Sequence, residues 1–595
     1  MLDLKENRIT YKQLLSLDDS NYKIKRILTT SYSLDIKALI GICLALELDE
    51  EAVEENDKNF PTLHVFSKLS KKLVVICQNG TISCPKDIKK LGALFENTIY
   101  TATLNGKKFH PKFWLIKYEH KENKNIKYKL IVASKNLTFD RSWDMQINIE
   151  GDLKSNVHGQ NGNIIEFLKH VKKVVNVPEK KKEHLNEIID ELIKDLPGVE
   201  FNTSLNKIPV EKCEFIQFGK NTNNKIEYFE KNEKKIQDAL IVSPFIDSQI
   251  IKNLIDNTEK QVILITRRSE LYKIKSLVGE KLKVLVINKR IYDGEENIEE
   301  ENFKPQNQDI HAKMFLFKDS KKTYLYIGSA NATHSAFYGN TETMIKTTAT
   351  DSNLFNVIKQ DLLNVETIDG EERRCFIEPE LDDFQNGEST EEQEFKKFVR
   401  NFFELTPNAV ITGEYTISIN YDKLITNPNY IVKIKPLLYE GKSKEISDKP
   451  IIFKKLELKD LSEFYIVEFN GPEVISKMIK IPTRNIPELD TRISAIASTM
   501  FEDQNDFLRY LSFILSDDYL SILLDENYRK NSRKSQIFNN NYMPAIYEDM
   551  LKTVARSPER LKEIDDLLTF TEKKSNIRPE GFKELYNKFK EAVLK

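Results

Sequence analysis

The sequence predicts an α/β chain. Two pseudo-symmetric α/β repeats form one active site, and a small β-rich domain and a helical C-terminal region follow. Three observations carry this. His110-Pro111-Lys112 and His311-Ala312-Lys313 each open an apolar, strand-like run, Phe113 to Tyr118 and Met314 to Phe317. Each is trailed by a second β-rich run ending in Ser-x-Asn, at Ser134-Lys135-Asn136 and Ser329-Ala330-Asn331. Upstream, the strand-like Ile27 to Asp35 precedes a helical Ile36 to Leu48, as Ala239 to Asp247 precedes a helical Ser248 to Asp256; Ser31 and Asp35 match Ser243 and Asp247 in spacing.

The elements divide the chain as follows. Residues 1–160 make the first repeat and 237–350 the second. Between them, 161–236 is a Lys- and Glu-rich linker with helical spacing in Asn163 to Val175 and Glu183 to Leu196. Its run Glu179-Lys180-Lys181-Lys182-Glu183 reads as solvated linker or helix entry. Residues 351–490 form the β-rich domain, with strand-like runs at Val410–Ile419, Tyr430–Leu438, Pro450–Phe453, Phe464–Phe469 and Met478–Ile481. Phe384 to Glu392 reads as a loop. Residues 491–595 are helical, with apolar spacing in Phe507–Leu524 and Pro544–Val554, where Phe507, Tyr510 and Phe513 are core candidates. The acidic Asp293 to Gln308, just before His311, is expected to be a loop at the mouth of the site that gates a polyanion.

Side chains two apart on a strand share a face, so each His-x-Lys presents an imidazole beside an ammonium. A neighbouring strand can bring its Ser and Asn to the same place. Two imidazoles, two ammoniums, two amides and two hydroxyls suit a phosphodiester. Lys and Asn can hold the non-bridging oxygens, one neutral His can attack phosphorus, and the other, protonated, can donate to the leaving oxygen. A single His-x-Lys is usually a polar residue at a strand edge; the duplication with its Ser-x-Asn is what carries the reading. His64, His120, His158, His170, His184 and His334 receive no role.

These residues resemble the phospholipase D superfamily, whose signature is His-x-Lys followed by Gly-Ser-x-Asn, present twice. The second copy is close: His311, Lys313, Gly328, Ser329, Asn331, then Asn340-Thr341-Glu342. The first has Ala133 in place of the Gly and a longer Lys-rich insert, Glu119 to Lys127. The Asp that the family often carries five residues after the Lys is absent from both copies, where Lys117 and Lys318 stand. The tyrosyl-DNA phosphodiesterase branch shares that absence, and Asn136-Leu137-Thr138 with Trp143 and Gln146 is similar to that branch. The resemblance spans about residues 20 to 350. It implies a metal-independent phosphodiesterase, most simply a nuclease cleaving DNA (or RNA) through a covalent phosphohistidine. His110 would be the nucleophile and His311 the general acid and later base. Lys112, Lys313, Asn136 and Asn331 would hold the phosphoryl oxygens, Ser134 and Ser329 would orient the histidines or the phosphate, and Glu342 and Gln146 would fix an imidazole tautomer. No cofactor and no metal ligand set is expected. Similarity to bacterial restriction and anti-phage nucleases implies a nucleic-acid partner, DNA before RNA, and a separate helicase or ATPase chain, since no ATP-binding loop is present. A repair-type or lipid phosphodiesterase, or a non-catalytic nucleic-acid-binding member, are the alternatives.

Composition sets limits on this. At 595 residues and 40% hydrophobic the chain holds more than one core. A net charge of -2 assigns any nucleic-acid affinity to a local patch. Five scattered cysteines at no metal spacing fit a reduced, cytoplasmic setting. No secretory pattern opens the sequence, and the apolar stretch from Ala38 to Leu48 is too short to span a bilayer, so no membrane association is expected.

Overall fold

The computed structural model describes residues 11–17, 19–47, 69–138, 142–202, 210–219, 222–231, 234–288, 309–350, 353–368, 371–384, 390–421, 423–425, 427–499, 504, 507–508, 511, 550–551, 561–571, 578–579 and 581–593. The expected gating segment 293–308, Tyr510, Phe513 and most of the helical patterns at 507–524 and 544–554 lie outside the described residues.

The architecture is mixed α/β, built on two large sheets. In the first, β1 (Tyr22–Ser31), β2 (Leu73–Gln78), β3 (Ile99–Ala102), β4 (Phe113–His120), β5 (Ile126–Ala133), β6 (Gln146–Leu153) and β7 (Val199–Phe201) lie in the order β7-β6-β5-β4-β1-β2-β3. In the second, β8 (Lys212–Phe218), β9 (Ile236–Val242), β10 (Thr258–Ile265), β11 (Leu282–Ile287), β12 (Met314–Lys318), β13 (Thr323–Gly328), β14 (Glu342–Ala349) and β15 (Phe376–Ile377) lie in the order β8-β14-β13-β12-β9-β10-β11-β15. Position for position the first seven strands of each order correspond. β1, β2 and β3 run parallel, as do β9, β10 and β11; the remaining pairs within those seven positions are antiparallel in both sheets.

Period-two alternation explains how the sheets pack. Phe113, Leu115, Leu130 and Val132 share one core with Val242, Met314, Leu316 and Ile327, so an inner face of each sheet contributes to a common interior. The intervening residues turn outward. Trp114 and Ile116 join a second core around the helix Ile36–Glu47, and Phe315 and Phe317 join a third around the helix Ser248–Asn257. Strands covered on both faces need near-continuous apolar runs, which is what these strands carry. The helices Gly162–Val174 and Glu183–Asp195 of the intervening segment bury Phe167, Leu168, Leu185 and Ile188 in the common core, so they are structural rather than a solvated tether.

The two upstream Ser–Asp pairs make like hydrogen bonds. Ser31 Oγ accepts from Leu137 N at 3.0 Å, and Ser243 Oγ accepts from Ala332 N at 2.9 Å. Asp35 accepts from Lys37 N at 2.8 Å, and Asp247 accepts from Gln249 N at 2.9 Å, each capping the helix that follows. Both Ser–Asp pairs therefore tie the residues just after Ser-x-Asn to a helix start.

Two expectations past residue 350 are corrected. Val410 to Ile419 is not one strand but a hairpin, Asn408–Thr412 and Thr416–Asn420, because Gly413 and Tyr415 adopt positive φ of 52° and 51° and turn the chain. The loop expected to Glu392 gives way to the helix Thr390–Phe402, whose Phe395, Phe398, Val399 and Phe402 are buried at helical spacing. The strands of this region, among them Ile431–Pro436, Phe464–Asn470 and Val474–Lys480, extend onto the short first-repeat strands Ile82–Ser83 and Leu34–Asp35.

A buried ion pair fastens that junction. Arg492 donates to both carboxylate oxygens of Glu96, at 2.7 and 2.8 Å, and Lys480 Nζ donates to the Glu96 and Ile99 carbonyls. Glu96→Ala leaves the Arg492 cation buried without its partner and is expected to cost about 3–5 kcal/mol. Urea unfolding checks it: an unchanged midpoint would contradict the role, and Glu96→Leu with Arg492→Met should recover most of the loss.

Candidate active site

β4 and β12 each begin three residues after a motif histidine, and β5 and β13 each end beside a motif serine. The antiparallel pairs Phe113↔Val132 and Met314↔Ile327 set Lys112 against Ala133, and Lys313 against Gly328. The bonds Ala133 N to Lys112 O (2.9 Å) and Gly328 N to Lys313 O (3.4 Å) close the two hairpins. Glycine is required at 328, since a Cβ there would lie 2.2 Å from the Thr343 carbonyl oxygen.

Each histidine is then handed to the opposite half. Phe109 bridges Thr341, with His110 N donating to Thr341 O at 2.9 Å and Thr341 N donating to Lys108 O at 2.9 Å. On the other side Asp309–Ile310 pairs with Ser142–Trp143, and His311 N and Ala312 N donate to Trp143 O at 3.0 and 2.8 Å. Gln78 Oε1 accepts from Phe109 N at 2.7 Å, while Arg267 Nε donates to Ile310 O at 3.0 Å, so the ends of β2 and the segment after β10 support both histidine segments.

This pairing sets a carboxylate beside each ring. His110 Nδ1 lies 2.8 Å from Glu342 Oε2, and Ser329 Oγ donates to the same oxygen at 2.5 Å. His311 Nδ1 lies 3.0 Å from Asp144 Oδ1, and Ser134 Oγ donates to that oxygen at 2.9 Å. Each serine in turn accepts a backbone N–H, from Thr343 and from Met145, both at 2.9 Å. The serines thus hold carboxylates rather than histidines directly. The carboxylate that follows each Ser-x-Asn serves the histidine of the other copy.

Glu342 is where the sequence placed it. The corresponding group for His311 is Asp144, not Gln146: Gln146 opens β6 opposite Ala133, and Asp144 stands just before it. The usable signal was a Ser-then-acid spacing of ten residues in the first copy against thirteen in the second, obscured by the different chain path between them. His170, assigned no role from sequence, has Nε2 2.9 Å from Thr341 Oγ1, behind the His110 bridge.

The lysines complete the cluster. Lys112 and Lys313 are each 1% exposed, and each Nζ donates to the carbonyl of its own motif histidine. Asn136 and Asn331 follow their serines, and Oδ1 of each is shut from solvent with no hydrogen-bond partner among the described residues. Among the described residues no group of three or more His, Cys, Asp or Glu is arranged to hold a metal ion.

Burial and the lysine charges decide the protonation states. Desolvation, then Lys112 and Lys313, push His110 well below the ordinary imidazole range. Desolvation and Lys313 push His311 down to about 4, against the opposing pull of Asp144. Glu342 is driven up to about 7 by burial, partly offset by Lys112 and Ser329. Burial also raises Asp144, but its hydrogen bond to His311 and the His311 charge outweigh this and hold it below the usual carboxylate range. Both imidazoles are therefore neutral at pH 7. NMR titration should find His311 protonating near pH 4; Lys313→Met should raise that midpoint and Asp144→Asn lower it further. A midpoint at or above the ordinary 6.5 would refute the electrostatic account.

Residues 231–362 match the family described as cardiolipin synthase, PLD-like domain. Among solved structures, yeast tyrosyl-DNA phosphodiesterase is 12% identical, with 57% of this chain and 87% of that one covered at a TM-score of 0.34. Phosphatidylserine synthase of Haemophilus influenzae is 12% identical, with 64% and 89% covered at 0.33. NucT from Helicobacter pylori is 18% identical, with 21% and 75% covered at 0.16. No curated protein matches the sequence. The matched segment holds the second His-x-Lys and Gly-Ser-x-Asn, the first copy stands on the corresponding strands, and over residues 231–362 the chain is similar to the PLD-like domain of that family.

Proposed function

We propose that the chain is a phosphodiesterase that works through the two histidines without a metal, and that its substrate is a nucleic acid, DNA before RNA. The crossed pairs His110–Glu342 and His311–Asp144 carry this reading. With Nδ1 occupied by a carboxylate, each ring turns Nε2 toward the substrate. The matching strand orders are read as a pseudo-two-fold pair of repeats sharing one site.

The unequal carboxylates support unequal roles. Asp144 is held ionised and favours an imidazolium at His311, which suits a general acid. Glu342 is pushed up and His110 is pressed toward the neutral, nucleophilic form. In the first step His110 Nε2 bonds to phosphorus as the bond to the leaving oxygen breaks, and that oxygen takes the proton of His311. In the second, neutral His311 takes a proton from water, whose oxygen bonds to phosphorus as the P–N bond breaks. Diester and water become monoester and alcohol, and both histidines return to their starting states. Burial first, then Lys313 and Lys112, depress His311; a bound phosphodiester anion offsets the two lysine charges, leaves Asp144 to favour the imidazolium, and so moves the ring toward its acid role. Lys112 and Lys313 are the cations for that anion, and Asn136 and Asn331 would serve it as donors through Nδ2.

Labelled DNA and RNA, incubated in EDTA, test the reading. Wild type should cleave, and His110→Ala and His311→Ala should each lose about 100-fold or more. With a p-nitrophenyl leaving group, which needs no acid, His311→Ala should release one burst and stall as a phosphohistidine, whereas His110→Ala should give no burst. Cleavage abolished by EDTA, or retained in both variants, would overturn the proposal.

A further inference from the structure

The helix Thr390–Phe402 comes from the accessory region, yet its end reaches the His110 side of the site. Its buried face is Phe395, Phe398, Val399 and Phe402; Arg400 lies on the exposed side. Phe403, just past the helix, packs onto Gly80, where a Cβ would lie 2.1 Å from the ring, and Asn79 Nδ2 donates to Phe403 O at 3.2 Å. The same turn holds Tyr32: Gln78 N donates to its carbonyl at 3.2 Å and Thr81 Oγ1 donates to it as well. The Tyr32 ring stands 5.1 Å from the His110 ring, with Lys108 Nζ 5.6 Å and Lys112 Nζ 5.9 Å from its centroid.

The charges around this turn do not balance. Desolvation and then the Arg400 cation lower the Lys108 ammonium, and Arg400 also draws down the Tyr32 phenol against its burial. Among the described residues neither Lys108 nor Arg400 forms an ion pair. Among the described residues Glu342 is the carboxylate that acts on Lys108.

We propose that Lys108 and Arg400, set against the wall of Tyr32, form a second phosphate subsite beside His110, which takes the phosphate next to the scissile one and so selects a polynucleotide over an isolated phosphodiester. The inference rests on the phosphodiesterase reading and adds its substrate class. It also gives the accessory region a task at the site: the Phe403–Gly80 contact sets the position of Arg400.

Binding of a fluorescein-labelled oligonucleotide to the full chain, followed by anisotropy across a salt series, tests it apart from turnover. Arg400→Gln should weaken binding ~10-fold and reduce the slope of log affinity against log salt by about 1, while Arg400→Lys keeps the slope. Lys108→Gln should act in the same direction. Where turnover is measurable, Arg400→Gln should lose more kcat/KM on the oligonucleotide than on bis(p-nitrophenyl) phosphate. An unchanged affinity and slope in Arg400→Gln, no oligonucleotide binding by wild type, or Arg400-dependent binding to phosphatidylglycerol vesicles in its place would each overturn the inference. Absence of hydrolysis with Arg400-dependent binding intact would remove the phosphodiesterase reading and leave the subsite standing.

Discussion

The crossed pairing of each motif histidine with the other half's carboxylate is the constraint on which the rest of the site depends. It cannot be made within one repeat. Backbone bonds from Thr341 to the His110 segment, and from Trp143 to the His311 segment, fix both rings before any side chain is considered. Serine then clamps each carboxylate from behind through a single oxygen, so ring, acid and hydroxyl move as a unit. A buried polar network of this kind is tolerable only when its members are satisfied. The exceptions are the two Asn amides, at the same position in both halves.

Matching architecture has not produced matching electrostatics. The two His–acid pairs have similar geometry, yet the two carboxyl groups move in opposite directions: burial raises both, and it prevails at the fully buried Glu342, whereas at Asp144 the His311 interactions outweigh it. The same residue type thus meets two different electrostatic settings at the two histidine positions. Burial alone would leave the two lysines as an unfavourable concentration of positive charge. The carboxylates offset part of it.

The accessory region is integrated with the first repeat rather than appended to it. Leu437, Phe464, Met478 and Ile493 lie in the same core as Ile27, Val75 and Trp114. The Glu96–Arg492 pair and the turn at Asn79 to Thr81 bind that region to the strand ends that support His110. Stability of the accessory region and geometry of the first half-site are therefore linked through packing.

The duplicated His-x-Lys and Ser-x-Asn, and the Ser–Asp spacing upstream of each, were legible because they are local: strand alternation places His beside Lys, and a short hairpin brings Ser and Asn alongside. The α/β class and most central strands were legible for the same reason, since strands covered on both faces require apolar runs. Asp144 was not, because its partner His311 lies 167 residues away and no local periodicity records which acid faces which ring. Nor could sequence show that the serines clamp carboxylates, or that the His311 interactions hold Asp144 down where burial drives Glu342 up. Sequence determined which chemical groups each half carries; tertiary structure alone decided which half's acid serves which half's histidine, because that depends on how two sheets face each other across a common core.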